Sequence, residues 1–402
     1  MNDLKTIYMK KNILFKVCVA MIAAMVMIAC GNGKQQGGAS DDGAKTEVSA
    51  SKTAKAKKKK NKEIKTTGRK KKKSILTPTS AGSPYEILLV AAEDDFHNGA
   101  VDTLYAVLTD DVLGIAQSEP CFKVTKITQN NFSKTLRMCR NVIVIKIDPS
   151  TYNNCKFKFS RDVYAAPQII MTIQAPSASK FKEYVTDNSN VIIDFFNKSE
   201  LNRACELLQE DHQPYIQEEV KKMFGCDLWA PAELTKITKG KNFLWAHSEK
   251  FVRRVEQDLN IVVYSYPYRD PKTFTEEYFV RKRDSVMKAN IPGPREGQYM
   301  MTSMPYIFVS DEEVHGGYAQ VVRGLWNVKD YDMGGPFVSV SRVDEKYGRV
   351  VVAEAFVYYP NQPKRNVLKK LEAALYTLRL PDELDLARFS YDLDEVIIVP
   401  EE

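Results

Sequence analysis

The segment RVVVAEAFVYYPNQPKRNVLKKLEAALYTL, residues 349–378, decides the fold prediction. Its first half is rich in β-branched and aromatic residues, a composition that favours a strand. Its second half spaces apolar residues at helical intervals among lysines, which predicts an amphipathic helix. A Tyr-Pro pair ends the strand, and a second proline precedes the helix, where the missing N–H of proline costs nothing. The segment therefore predicts one strand followed directly by one helix.

The same strand–helix order recurs elsewhere in the chain. It appears in LNIVVYSYPYRDPKTFTEEYFVRKRDSVMKAN, residues 259–290, and more loosely in IIMTIQAPSASKFKEYV, residues 169–185. Between the two clear copies, candidate strands follow one another without a helix, which favours antiparallel pairing. They are QYMMTSMPYIFVS, YAQVVRGLWNV and PFVSVSRV, the last leading into a hairpin through residues 344–348. The sequence predicts an α+β fold, with antiparallel or mixed sheets, helices on one face, and two lobes built from related strand–helix units.

Composition and length divide the chain into five predicted segments. About 300 folded residues exceed the usual single hydrophobic core, so we expect two lobes, divided near residues 225–241. The acidic C-terminal segment is expected to fray, and VIIV at 396–399 is a candidate edge strand. The segments are a signal peptide at 1–29, a disordered lysine-rich tether at 30–84, an N-terminal α+β lobe at 85–230, a C-terminal α+β lobe at 240–381, and an acidic tail at 382–402.

The N-terminal apolar run predicts a lipid anchor. It covers 13 residues, 17–29, after a basic patch, whereas a spanning helix needs about 20 apolar residues. Met27-Ile28-Ala29-Cys30 resembles the lipobox of bacterial lipoproteins, so we expect cleavage before Cys30 and acylation of its sulfur. Two acyl chains suffice for stable attachment to a bilayer. An ordinary cleaved signal peptide with an incidental cysteine is the alternative.

The positive charge of the chain is concentrated in the tether. Twelve lysines, Arg69 and a single glutamate lie between residues 52 and 74, whereas residues 75–402 have 39 basic and 46 acidic residues, net −7. A single-sign block without apolar residues does not fold. We expect the run Lys55–Lys73 to attract an anionic lipid surface, with an inert solvated spacer as the alternative. Nucleic acid is not an expected partner.

Long blocks of the chain resemble a family of known proteins. Residues 84–381 are similar to the Bacteroidota envelope lipoproteins of the domain-of-unknown-function family 4837. The resemblance implies an envelope lipoprotein and supplies no catalytic residues. GNGKQQGG, after Cys30, lacks the acidic residues that often follow the lipidated cysteine of surface-exported relatives, which favours a periplasm-facing outer-membrane protein. The blocks are SPYEILLVAAEDD, GIAQSEPCFKV, FKFSRDVYAAPQIIMTIQAP, YFVRKRDSVMKANIPGPREGQYM, RGLWNVKDYDMGGPFVSVSRVD and RNVLKKLEAALYTLRLP.

One acidic cluster follows the first predicted strand. Glu93, Asp94, Asp95 and His97 lie after YEILLVAA, where carboxylates and an imidazole would hold a hard divalent cation or share a proton. The alternative interpretation is that Asp95 or Asn98 caps the next helix, near whose positive end acids are stabilising.

Other chemistry-bearing residues form no recognisable catalytic pattern. The four histidines have no metal-ligand spacing, and the five cysteines after residue 100 contain no CxxC pair. A disulfide between Cys205 and Cys226 stays open. No cofactor is predicted. Aromatic residues near strand ends would bind a glycan or protein partner, or would fill a core. They are Tyr264, Tyr266, Tyr268, Trp229, Trp245, Trp326, Tyr358 and Tyr359.

Three classes of function remain open from the sequence. The first is a noncatalytic envelope module that binds or assembles with an envelope protein or a glycan. The second is a metal-dependent or carboxylate-based hydrolase with a site near His97. The third is a structural spacer. The first is preferred because the sequence indicates a location, a tether and a folded body without a catalytic constellation.

Overall fold

The computed structural model describes residues 77–396. The predicted signal peptide, Cys30, the lysine run and the last six residues lie outside this range. None of the helices within the described range is long and apolar enough to cross a bilayer. The described chain contains two sheets with helices packed on them, which confirms the α+β prediction.

The N-terminal sheet is mixed and has five strands in the order β2-β1-β3-β5-β4. Its neighbours pair in parallel except β4, which runs antiparallel to β5 at the edge. The strands are β1 (Glu86–Ala91), β2 (Lys123–Thr128), β3 (Asn141–Ile147), β4 (Lys156–Arg161) and β5 (Ile169–Ala175). The associated helices are α1 (Glu93–His97), α2 (Ala100–Leu108), α3 (Ala178–Asp187), α4 (Ser189–Glu210) and α5 (Pro214–Phe224), with 3-10 turns at Gln129–Asn131 and Leu136–Met138.

The C-terminal sheet has seven strands, all paired antiparallel, in the order β6-β7-β8-β12-β11-β10-β9. The strands are β6 (Lys236–Gly240), β7 (Phe243–Val252), β8 (Val255–Pro267), β9 (Met300–Val314), β10 (Gly317–Val328), β11 (Tyr331–Asp344) and β12 (Arg349–Tyr358). The remaining helices are α6 (Glu276–Asn290), α7 (Arg365–Leu375) and α8 (Leu393–Val396), with a 3-10 turn at Pro271–Phe274. The three predicted strand–helix segments thus form β5–α3, β8–α6 and β12–α7.

Helices cover both faces of the C-terminal sheet, so the expectation of helices on one face is wrong for it. Leu371 of α7 packs with Val351 and its neighbours on one face, whereas Phe279 of α6 packs with Val352 on the other. The reason lies in the sequence of β12, where seven of the eight residues from Val350 to Val357 are apolar, so that apolar and polar positions do not alternate. A near-continuous apolar run needs burial on both faces.

Helix α4 contributes to two hydrophobic cores. Its first half, including Ile192 and Phe195, packs with the N-terminal sheet, whereas Leu201 and Leu208 pack with the C-terminal sheet. The change from one core to the other therefore occurs within α4, ahead of the predicted division at 225–241. A helix of 22 residues is about 33 Å long, which is enough to reach both sheets.

A carboxylate from the N-terminal half caps helix α7. Glu119, which precedes β2, accepts hydrogen bonds from the backbone N–H of Lys364 at 2.7 and 2.9 Å and of Arg365 at 2.8 Å. The first N–H groups of a helix have no partner inside the helix, and an anion there also complements the helix dipole. This contact joins residues that are about 245 positions apart in the sequence.

Both ends of the described range pack more closely than the sequence predicts. Ala81, within the predicted tether, donates its N–H to the carbonyl oxygen of Met138 at 2.8 Å. In the predicted acidic tail, Phe389 is 8% exposed, and Glu383 pairs with the buried Arg342. Fraying is therefore wrong for this part of the tail, because its aromatic residues bury apolar surface on the body. The candidate strand at 396–399 extends beyond the described residues.

Candidate binding cleft

The predicted acidic cluster forms the short helix α1. Asp95 is buried, and its carboxylate accepts hydrogen bonds from the N–H of Ala92 at 3.3 Å and from the side chain of Asn98 at 3.2 Å. Asn98 in turn accepts from the N–H of Ala100, at the start of α2, at 3.0 Å. Asn98 therefore caps the next helix, as the alternative interpretation expects, whereas Asp95 caps the start of its own helix, α1.

The other members of the cluster are exposed. The side chains of Glu93, Asp94 and His97 lie on the surface. Within residues 77–396, no group of three or more His, Cys, Asp or Glu side chains is arranged to hold a metal ion. The hydrolase alternative therefore gains no support from the described geometry.

The five cysteines of the described range are free thiols. Cys205 and Cys226, the pair left open from the sequence, are both buried and unbridged. Burial raises the pKa of each thiol to about 12, so neither forms the thiolate that a nucleophile requires.

Most of the noted aromatic residues fill the core. Trp326 is 4% exposed and meets the ring of Phe356 edge-on at 5.5 Å. Trp245 is partly buried, stacks on His247 and donates to Asn260. The core interpretation is confirmed for the five buried rings, which are Tyr264, Tyr266, Trp229, Trp326 and Tyr359.

A cleft of about 370 Å³ lies where the N-terminal sheet, α4 and α7 meet. We call it the binding cleft. Its apolar walls come from Tyr85, Ala204, Leu207 and Pro231, and Leu207 is 65% exposed at this surface. Its charged lining comprises Arg140, Glu200, Arg203, Glu210, Asp211, Glu233, Lys369 and Lys370. A volume of this size is typical of a small-molecule site, and this one combines apolar walls with eight charged side chains.

The floor of the cleft is a charged network around Glu200. Arg140 donates two hydrogen bonds to its carboxylate, at 3.0 and 2.7 Å, and Arg203 donates one at 2.9 Å. The side chain of Asn141 donates another at 2.7 Å. Burial lowers the pKa of Arg203, and Glu200 opposes that change. Two guanidinium groups thus share one carboxylate, and this leaves the floor with an excess positive charge.

Backbone geometry places the network at the start of the parallel strands. Arg140 immediately precedes β3, and Tyr85 immediately precedes β1. Glu200 and Arg203 are three residues apart on α4, so both side chains lie on the same face of that helix. Burial raises the pKa of Tyr85, and the charges of Glu372 and Glu200 raise it further.

Two family models match the chain. The domain of unknown function DUF4837 matches residues 213–377. Residues 213–377 form a DUF4837 domain. A second domain of unknown function, DUF8532, matches residues 80–209. No curated protein matches the chain.

The cleft is built from both matched segments. The DUF8532 segment contributes Tyr85, Arg140 and α4. The DUF4837 domain contributes Pro231, Glu233 and the lysines of α7. Within this domain, the ammonium group of Lys370 lies 2.6 Å from a carboxylate oxygen of Glu233, and both residues line the cleft. The cleft therefore requires the two segments to pack together.

The DUF4837 sheet contains a buried carboxyl group that is incompletely hydrogen-bonded, that of Asp258 of β8. Asp258 is 9% exposed, and its Oδ1 has no hydrogen-bond partner among the described residues. Burial raises its pKa to about 6, and Glu256 and Glu249 raise it further, with Lys236 opposing. Because the folded pKa exceeds the unfolded one, folding is most favourable with Asp258 protonated, and stability falls as the pH rises from the ordinary value of 3.8 to about 6, above which the loss is complete.

Replacing Asp258 by asparagine is expected to raise the free energy of unfolding by about 1–2 kcal/mol near pH 8, because the amide removes a poorly solvated charge. Near pH 4.5, which lies between the unfolded and folded pKa values, less than half of that penalty has developed, so the same substitution should have a correspondingly smaller effect. Urea denaturation at both pH values measures the difference. Asp330→Asn is the control, because Asp330 is 79% exposed. An equal gain for Asp258→Asn at both pH values would contradict the prediction.

Proposed function

We propose that the chain is a noncatalytic binding protein of the cell envelope, attached to a membrane through acyl chains on Cys30. In this proposal its folded body takes an amphipathic ligand, or a side chain of an envelope partner, into the binding cleft. The observation that carries the proposal is the composition of the cleft, which has apolar walls over charged groups that are already paired with one another.

The pairing favours binding over catalysis. Glu200 is held by Arg140 and Arg203, and Glu233 is held by Lys370. A general base or acid must exchange a proton with its substrate, and a carboxylate saturated by charged donors is poorly suited to that task. Groups fixed in this way instead orient a ligand. The whole lining has four basic and four acidic side chains, so the anionic end of a ligand would be attracted locally, beside Arg140 and Arg203.

Attachment to the envelope rests on the sequence. The lipobox ending at Cys30 supports acylation, and Lys55–Lys73 would add attraction to anionic lipid. A periplasm-facing position on the outer membrane, with an envelope protein or a glycan as partner, is consistent with the residues after Cys30. The tether would let the cleft reach ligands away from the bilayer.

Binding is tested with the amphipathic anionic dye anilinonaphthalene sulfonate. We expect the full chain to bind it with enhanced fluorescence, and Leu207→Glu to weaken binding about tenfold because a like charge enters the apolar wall. Leu386→Glu is the matched control, since Leu386 is a 46% exposed leucine outside the cleft. An equal effect of both substitutions would contradict a binding role for the cleft.

Attachment is tested separately, so that the two halves of the proposal fail independently. Metabolic labelling with a palmitate analogue should modify the wild-type chain and not Cys30→Ser. After detergent phase separation, Cys30→Ser should be found in the aqueous phase, whereas the wild-type chain should be found in the detergent-rich phase. Labelling that persists in Cys30→Ser would contradict the lipid anchor and would leave the result of the dye experiment unchanged.

A further inference from the structure

A second concave site lies on the opposite face of the C-terminal sheet from α7. It has a volume of about 380 Å³ and shares no lining residue with the binding cleft. We call it the basic pocket. Its lining residues are Pro267, Arg269, Tyr278, Arg281, Lys282 and Ser285. Three of the six are cations, and none is an acid.

The sequence of α6 explains how these side chains converge. Tyr278, Arg281, Lys282 and Ser285 have the spacing i, i+3, i+4, i+7, which places them on one face of the helix. The buried residues Phe279, Arg283 and Met287 lie on another face. The helix therefore presents a continuous row of pocket residues above the end of β8.

The carboxylates near the basic pocket either accept hydrogen bonds from other groups or make only a long, exposed contact with a pocket cation. Asp270 accepts the N–H of Lys272 at 2.8 Å, and Asp284 accepts from the hydroxyl of Thr302 at 2.7 Å. Glu277 reaches Arg281 only at 3.9 Å, and its side chain is 88% exposed. Such an exposed pair neutralises little charge. The pocket is thus a concentration of positive charge on a folded body that is net negative.

Aromatic rings hold two of the pocket's cations in position. The ammonium group of Lys282 lies 5.0 Å from the ring centre of Tyr266 and 5.9 Å from that of Tyr278. The guanidinium of Arg281 lies 5.6 Å from the ring of Tyr278. Cation–π contacts orient these groups without cancelling their charge. Both cations therefore remain available to an anion.

We infer that the basic pocket binds a phosphate group carried by a small organic substituent. Two guanidinium groups and an ammonium match the charge and the several acceptor oxygens of a phosphate ester. The volume exceeds that of a phosphate alone, and Tyr278 and Pro267 supply an apolar wall for the substituent. A soluble phosphate ester and a phospholipid headgroup offer the same chemistry.

The experiment uses the full chain and two variants with equal net charge. Arg281→Gln/Lys282→Gln removes two cations from the pocket. Lys288→Gln/Lys329→Gln is the matched control, because it removes two cations that lie over the ring of Tyr299, outside the pocket. Calorimetry with glycerol phosphate measures the soluble ester. Sedimentation with vesicles of equal parts phosphatidylglycerol and phosphatidylcholine measures the headgroup.

We expect the pocket variant to bind about tenfold more weakly than the control variant, because it loses charge-assisted hydrogen bonds. A difference with glycerol phosphate supports a soluble ester, and a difference with vesicles alone supports a headgroup. Both variants carry Cys30→Ser and retain the tether, so insertion of acyl chains is absent and attraction by the tether lysines cancels in the comparison. Equal binding by the two variants to both probes, or no binding to either, overturns the inference. Circular dichroism checks that both variants are folded.

Discussion

Replacement of Glu354 by alanine is expected to lower the free energy of unfolding by about 3–5 kcal/mol. Glu354 of β12 and Arg283 of α6 are both 0% exposed, and their charged groups meet at 2.8 Å. Burial raises the pKa of Glu354, and the guanidinium opposes that change. Alanine would leave the guanidinium of Arg283 in the core beside Thr302 and the ring of Phe337. Its nearest remaining carboxylate would be that of Asp284, which lies 3.8 Å away and already accepts from Thr302.

Equilibrium urea denaturation of the purified chain measures the loss. Glu277→Ala is the control, because Glu277 lies on α6, the helix of Arg283. Its pair with Arg281 is exposed and 3.9 Å long, so the substitution should lower the free energy of unfolding by less than about 0.5 kcal/mol. The double substitution Arg283→Met/Glu354→Leu should recover most of the stability, because a matched apolar pair needs no desolvation of charge. A loss below about 1 kcal/mol for Glu354→Ala would mean that water reaches the guanidinium.

The strand–helix units could be predicted from the sequence because local signals determine them. Pro292 follows the end of α6, and α5 ends before Gly225, which has a positive φ of 65°. The hairpin between β11 and β12 likewise follows from its turn residues. In each case, the deciding residues lie within a few positions of the boundary.

Gly334 and Gly335 lie inside β11, where Gly334 borders a register irregularity in the pairing with β10, and neither has a positive φ. A Cβ atom on Gly335 would lie 2.0 Å from the carbonyl oxygen of Val357. The glycines are therefore required by the close approach of a neighbouring strand, which is a tertiary contact that local sequence does not show.

Three strands were missed for a related reason. β4 and β6 are edge strands, with sequences KFKFSR and KITKG, and both contain several charged residues. Such composition is a weak strand signal because lysine is depleted in strands, although charges are common on edges. β7, FLWAHSEKFV, extends into a hairpin with a polar end. These strands are fixed by pairing with partners rather than by their own propensity.

The cleft could not be located from the sequence because its parts are distant in the chain. Arg140 and Glu200 are 60 positions apart, and the lysines of α7 follow more than 160 positions later. The available signal is weak: Glu200 and Arg203 are charged residues three positions apart on a helix that is otherwise buried on that face. The acidic cluster near His97 was more conspicuous, but acids at the start of a helix are explained by capping alone.

Glu200→Ala is expected to lower the free energy of unfolding by about 2–4 kcal/mol. The carboxylate is 1% exposed and accepts hydrogen bonds from two arginines and an asparagine. Its removal leaves Arg203 buried without a carboxylate in hydrogen-bond contact, and only the more distant Asp162 still acts on it. Arg140, at 15% exposure, regains part of its hydration from the cleft. The expected loss is therefore smaller than at Glu354, where no solvent-filled space adjoins the pair.

The measurement combines urea denaturation with the dye titration. Glu206→Ala, on the same helix, is the control, because Glu206 is 53% exposed and lies 3.9 Å from Arg388. Glu200→Ala also removes the negative charge from the floor, so dye affinity at a urea concentration of zero should increase if the cleft is the dye site. If Glu200→Ala lowers stability without any change in dye affinity, Glu200 is a structural link between β3 and α4, and the network around it is not part of the ligand site.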